Sequence, residues 1–284
     1  MKNKFLAFFV IIFLGIFVHV STALAIKLVQ IDQAKIRLSI LPGKSQAGMI
    51  RVSNASSEPK QVKTYLEDWV YNEAGDGSKD FTSAGTTKLS GTDWITFSPA
   101  DFTVPPNWHQ DINYRVSVPK DAEGGHYAVL FFENLLEELS GDEKGVAVPV
   151  AVRMGTLFYI EAKNTINKKA EVNNFDLKID PQENLFTISA DFLNTGNVDI
   201  ESKASFYIID DEGIVHGRGE FKKVYTFPND IVRLAATTNT KDEISEGVYD
   251  LIITFEIGKG VTLIKEIEVK IGARDDIIDF RVKD

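Results

Sequence analysis

Residues 34–40 alternate apolar and polar side chains with a period of two, and the same alternation returns in short stretches along the chain. It recurs at 48–52, 62–69, 113–118, 127–133 and 146–160, then at 176–179, 186–193, 206–209, 248–257 and 263–271. A period of two puts successive side chains on opposite faces of an extended chain, so each stretch predicts a strand. Turn formers separate the stretches: Pro42-Gly43, Gly75-Asp76-Gly77, Asn194-Thr195-Gly196-Asn197 and Asp210-Asp211-Glu212-Gly213. No long stretch carries the 3.6-residue apolar stripe of a helix. The best candidate, 132–139, is short and ends at Ser140-Gly141. Many short strands with frequent turns predict an all-β sandwich or barrel.

Two features occur twice in the same order. Arg51-Val52-Ser53-Asn54 with Glu58-Pro59 parallels Asp191-Phe192-Leu193-Asn194 with Gly196-Asn197, each a strand followed by an Asn-initiated turn. Further on, Glu123-Gly124-Gly125-His126-Tyr127 leads into an apolar strand, as Glu246-Gly247-Val248-Tyr249 does. A glycine turn, a tyrosine and an apolar strand make the pattern of a tyrosine corner, in which the hydroxyl bonds to upstream backbone of an immunoglobulin-like sandwich. The repetition predicts two such sandwiches in tandem, at 26–162 and 170–272, with a polar boundary near 162–169 and a polar tail at 273–284.

Composition narrows the setting. Of 284 residues, 44% are hydrophobic, enough to build a core, and the formal charge of −10 argues against a protein that wraps nucleic acid. There are no cysteines, which removes disulfides, thiolate metal sites and cysteine nucleophiles together. Each predicted core must then hold by packing alone, with tyrosine corners at Tyr127 and Tyr249. At the N-terminus Lys2 and Lys4 precede an apolar run of about 14 residues, and Ala23-Leu24-Ala25 has the form of a cleavage site. The run is short of the roughly 20 residues that span a bilayer, so residues 1–25 are expected to be a secretory signal peptide rather than an anchor. Its removal takes two basic residues and no acid, making the exported chain more acidic still. The mature protein is expected to be soluble and periplasmic or otherwise extracytoplasmic, without stable membrane insertion.

Little in the sequence supports catalysis, and no catalytic residue, metal site or cofactor is expected. His109, His126 and His216 are far apart, and no nucleophile elbow, phosphate loop or zinc helix is present. Asp76-Gly77-Ser78-Lys79-Asp80 lacks the ordered ligand spacing of a calcium loop and reads as a solvated turn. Trp69 and Trp94 sit at strand spacing and read as core, whereas Trp108, after Pro105-Pro106-Asn107, is the tryptophan to test for contact with a ligand such as a glycan. Val146, Val148, Val150 and Val152 project to one face of a strand that contains Pro149, a residue that cannot donate a ladder hydrogen bond. That places the stretch at a sheet edge or at the start of pairing, where it can receive an incoming strand or fill its own core.

Residues 26–162 resemble the periplasmic pilus-chaperone family, with its PapD-like immunoglobulin fold. The likeness rests on features in family order: the strand at 31–40, Met49-Ile50-Arg51-Val52-Ser53-Asn54 with Pro59, and Glu67-Asp68-Trp69-Val70. Then come Trp94-Ile95-Thr96-Phe97-Ser98-Pro99, Val104-Pro105-Pro106, Asn113-Tyr114-Arg115-Val116 with Pro119, and the strand ending Leu157-Phe158-Tyr159. The resemblance implies a protein client or surface subunit held by strand donation from 146–152. It also implies a basic pair anchoring the client's C-terminal carboxylate, for which Arg37 and Arg153 are the candidates; Thr156 stands where the family has its lysine. The second half looks like a generic bacterial immunoglobulin-like domain. A structural or adhesive surface module that binds a glycan or protein is the alternative.

Overall fold

The computed structural model describes residues 28–136, 150–180, 182–239, 244–258, 260–273 and 276–283. The proposed signal peptide, Val146 and Val148 therefore lie outside the described residues.

The first half runs through β1 (Val29–Ile31), β2 (Lys35–Ile40), β3 (Ser45–Asn54), β4 (Lys60–Tyr71), β5 (Lys79–Ser83), β6 (Ile95–Ser98), β7 (Asp101–Val104), β8 (Trp108–Ser117), β9 (Gly125–Leu136) and β10 (Val150–Ala162). One sheet has the order β1-β3-β8-β6; the other has β2-β10-β9-β4-β5, with β7 also pairing β4. The pairings are antiparallel except that of β2 with β10, which is parallel. The core lies between the sheets, with Ile50 and Ile112 from one and Leu130, Phe132, Phe158 and Ile160 from the other, all fully buried. Each such side chain contributes about 1.5–3 kcal/mol by leaving water.

The second half contains β11 (Ala170–Asp180), β12 (Leu185–Asn194), β13 (Ile200–Ile209), β14 (Val215–Glu220), β15 (Val224–Thr226), β16 (Ile231–Asn239), β17 (Gly247–Gly258), β18 (Val261–Ile271) and β19 (Ile277–Lys283). Its sheets are β11-β12-β16 and β14-β13-β17-β18-β19, with β15 pairing β13. Phe186, Phe192, Phe206 and Phe255 fill the space between them. The fold is thus all-β, two β-sandwiches in tandem. The segment read as a polar tail instead carries β19, whose Ile277, Phe280 and Val282 pack against this core. Ile278, Phe280 and Val282 alternate there with Asp279, Arg281 and Lys283, and the pairing with β18 shifts register at Lys270/Ile271.

The repeated asparagines have matching roles. Asn54 donates to the carbonyls of Glu58 and Val104, and its Oδ1 accepts the Ser56 N–H. Asn194 donates to Val198 and Thr226, and its Oδ1 accepts the Gly196 N–H. In each sandwich a buried amide thus supplies the partners that a turn leaves missing.

Candidate functional site

β10 changes character along its length. From Leu157 to Ala162 it lies between β9 and β2; from Val150 to Thr156 it keeps β9 on one side, and none of the described strands flanks the other. Parity follows from one bond, the Leu157 N–H donating to the Ala34 carbonyl at 3.0 Å. Odd-numbered residues turn their main-chain groups away from β9, and the register with β9 runs unshifted from Val150 to Glu161. Ala151, Arg153 and Gly155 therefore direct N–H and C=O away from β9, to a side where no described strand pairs. The edge ends where the chain between β1 and β2 crosses from one sheet to the other. There the Thr156 hydroxyl, fully buried, donates to the Gln33 carbonyl at 2.6 Å. Val152 and Met154 share the core-facing parity of Phe158 and are half-buried.

The two candidate anchors are not a pair. Arg37 lies opposite Tyr159 in the β2–β10 register. Arg153 is six residues earlier on β10, about 20 Å along a strand. Each is already matched to a resident carboxylate. Arg37 makes a bidentate pair with Asp199 of the second sandwich, at 3.0 and 2.8 Å, bonds Glu161 at 3.1 Å, and lies 4.3 Å over the Tyr159 ring. Burial opposes its charge, but hydrogen bonding and attraction from Asp199 and Glu161 prevail and raise its pKa further. Arg153 bonds Glu67 at 3.0 Å and stacks 4.1 Å from the Phe131 ring. Lys35, beside Arg37, rests 4.3 Å over Tyr159; burial and the repulsion of Arg37 lower its pKa.

Sequence reasoning missed the junction between the sandwiches. Trp69, Tyr71, Tyr127 and Tyr159 of the first half form an aromatic cluster with Phe227 of the second, Tyr127 stacking on Phe227 at 4.1 Å between centroids. The Tyr127 hydroxyl donates to Asp199 Oδ1 at 3.2 Å and accepts the Asp199 N–H at 2.6 Å. The expected corner to its own upstream backbone is thus replaced by one to the neighbouring domain, because Asp199 is brought against the glycine turn. Tyr249 does close a corner, donating to the Ser245 carbonyl at 3.1 Å. The Gly75-Asp76-Gly77 turn docks on the second sandwich, its Gly75 carbonyl accepting the Tyr225 N–H at 2.9 Å.

The remaining candidates are dispersed. Trp108 is 62% exposed and stacks on His109. His126 packs on Trp94, and His216 bonds Asp210 at 2.8 Å. Among the described residues no three of His, Asp and Glu are placed to hold a metal ion, and no helix is long and apolar enough to cross a membrane.

No family model matches the chain, and no curated protein matches it. Solved structures similar to it include a chain of the chaperone–tip adhesin complex of CFA/I fimbriae biogenesis, with 14% identity over 84% of this chain and 98% of that one and a TM-score of 0.49. The class 5 fimbriae chaperone CfaA has 16% identity, 84% and 98% coverage and a TM-score of 0.46. The CsuC–CsuE chaperone–tip adhesion subunit pre-assembly complex of Acinetobacter baumannii has 13%, 85% and 98%, and 0.41. The class rests on the chain's own sheets, two immunoglobulin-like sandwiches. These three similar structures come from fimbrial and pilus chaperones or their subunit complexes.

Proposed function

We propose that this is an exported, non-enzymatic protein-binding protein, a periplasmic chaperone of pilus or surface subunits that holds its client by β-strand donation from 146–152. The observation that carries the reading is the half-open edge of β10, with the main-chain groups of Ala151, Arg153 and Gly155 directed outward. An open edge is a template for an added strand, and main-chain hydrogen bonds supply affinity without cofactor or catalytic group. Val152 belongs to the alternating row whose side chains would enter the client's groove. Because Arg37 and Arg153 are each paired internally, client binding through a carboxylate requires one of them to exchange its partner.

The test replaces Val150 and Val152 by Asp in the exporting cell and follows both the subunits that co-purify and the structures assembled at the surface. Loss of both is expected; unchanged assembly with the same co-purifying proteins sinks the proposal. A second reading, an adhesive module, rests on the exposed Trp108. On a glycan array it requires binding that Trp108→Ala abolishes.

A further inference from the structure

A cation at a strand edge ordinarily protects it, projecting past the last strand so that another chain cannot pair. Arg153 does the reverse. Its guanidinium folds back over the sheet, lying 4.1 Å above Phe131 of β9 and 5.6 Å from Phe81 of β5. Nη1 bonds Glu67 of β4 at 3.0 Å and lies 3.5 Å from the Tyr65 hydroxyl, which itself donates to Glu133 at 2.7 Å. One side chain thus ties the edge strand to the three strands behind it, on the face opposite the core. The neighbouring position agrees: a Cβ on Gly155 would meet Val129 at 2.7 Å and Phe131 at 3.0 Å, so the Phe131 ring fills the place a side chain would take. This clamp lies where β10 loses the support of β2, whose pairing begins at Leu157.

We propose that Arg153 is a positioning residue for strand addition. It keeps residues 150–155 ordered as a strand before any partner arrives, and it draws its own charge off the edge so that the main chain is open. The partner is an extended polypeptide segment, apolar on the side beside Val152 and Met154. It can pair only as far as Gly155, because the Thr156–Gln33 bond and the start of β2 block the edge beyond. Ordering an edge in advance removes a conformational cost from association. This inference rests on the strand-donation reading for its purpose, but its structural half is measurable without a client.

The test is residue-resolved amide exchange on the mature protein, comparing wild type with Arg153→Ala and Arg153→Lys. Val152 and Met154 donate toward β9, so their protection reports the order of the free half, while Phe158 and Ile160 report the fold. Arg153→Ala is expected to speed exchange at 152 and 154 by about tenfold or more, leaving 158 and 160 unchanged. Arg153→Lys, which keeps the charge for Glu67 but has no plane to lie on Phe131, should fall between. Equal protection at 152 and 154 in wild type and alanine variant overturns the proposal, as does a loss that spreads equally to 158 and 160. Client capture by the same variants gives the second readout: reduced capture is expected for alanine, and full capture despite a disordered edge refutes the positioning role. If Val150→Asp with Val152→Asp leaves assembly unchanged while the exchange result holds, the donation reading fails and the clamp stands.

Discussion

Tyr127 and Tyr249 enter their sandwiches through the same local sequence, a glycine turn followed by an apolar strand, yet their hydroxyls end in different places. Tyr249 bonds the carbonyl four residues upstream and locks its own domain. Tyr127 trades hydrogen bonds with both the side chain and the main chain of Asp199, 72 residues away in the other domain. The difference is one of surroundings rather than of motif: the turn at Gly124-Gly125 lies against Asn197, whose carbonyl accepts the Gly125 N–H at 2.8 Å. The second sandwich closes on itself, whereas the first is completed by its neighbour.

Four substitutions would sharpen or break that comparison. Asp199→Ala has the largest expected effect, because it leaves Arg37 without its bidentate partner and Tyr127 without its acceptor. A loss of about 2–4 kcal/mol is expected, with calorimetry resolving separate transitions for the two domains. An undivided transition at the wild-type temperature would contradict the coupling. Next comes the matched pair Tyr127→Phe and Tyr249→Phe. The first removes two bonds and leaves the buried Asp199 N–H unpaired, about 1–3 kcal/mol; the second removes one, about 1 kcal/mol. Equal losses in denaturant titrations would show that the two corners do the same work.

The smallest effect concerns pH. His126, beside Tyr127, is half-buried with its ring nitrogens 3.1 and 3.3 Å from the carbonyl oxygens of Ser90 and Glu123. Burial lowers its pKa, more than those carbonyls raise it. The unfolded chain, near the ordinary value of about 6.5, therefore binds protons more readily than the folded one. The stabilisation is present above that value and is lost as pH falls from it through the folded pKa. His126→Phe should flatten the pH dependence of the melting temperature in that window, and an unchanged slope would assign it elsewhere.

What could be read from the chain follows the range of the interactions. The alternation of β12 and β17 is local and shows directly; β16, with Val232, Leu234 and Ala236 buried at every second position, was not among the predicted stretches. Pro149 and the valine row pointed to a sheet edge or the start of pairing; of 146–152 only 150–152 are described, and they begin the part of β10 that pairs with β9 and not with β2. The fate of Arg37 did not follow, because Asp199 is 162 residues away and nothing beside either residue announces the other. Arg153 was legible as a cation near the edge but not as a clamp, since its partners lie on three other strands.

At Gly124 an added Cβ would stand 2.3 Å from the Asn197 carbonyl oxygen, and at Gly75 it would stand 2.6 Å from Val232. Both glycines have positive φ, so a side chain there meets strain as well as a collision. The joint is thus seated on bare main chain at two points, and a single methyl group at either would act as a shim. It would tilt one sandwich against the other, with the displacement growing with distance from the seat. The relative aim of the two halves is set by atoms the chain leaves out.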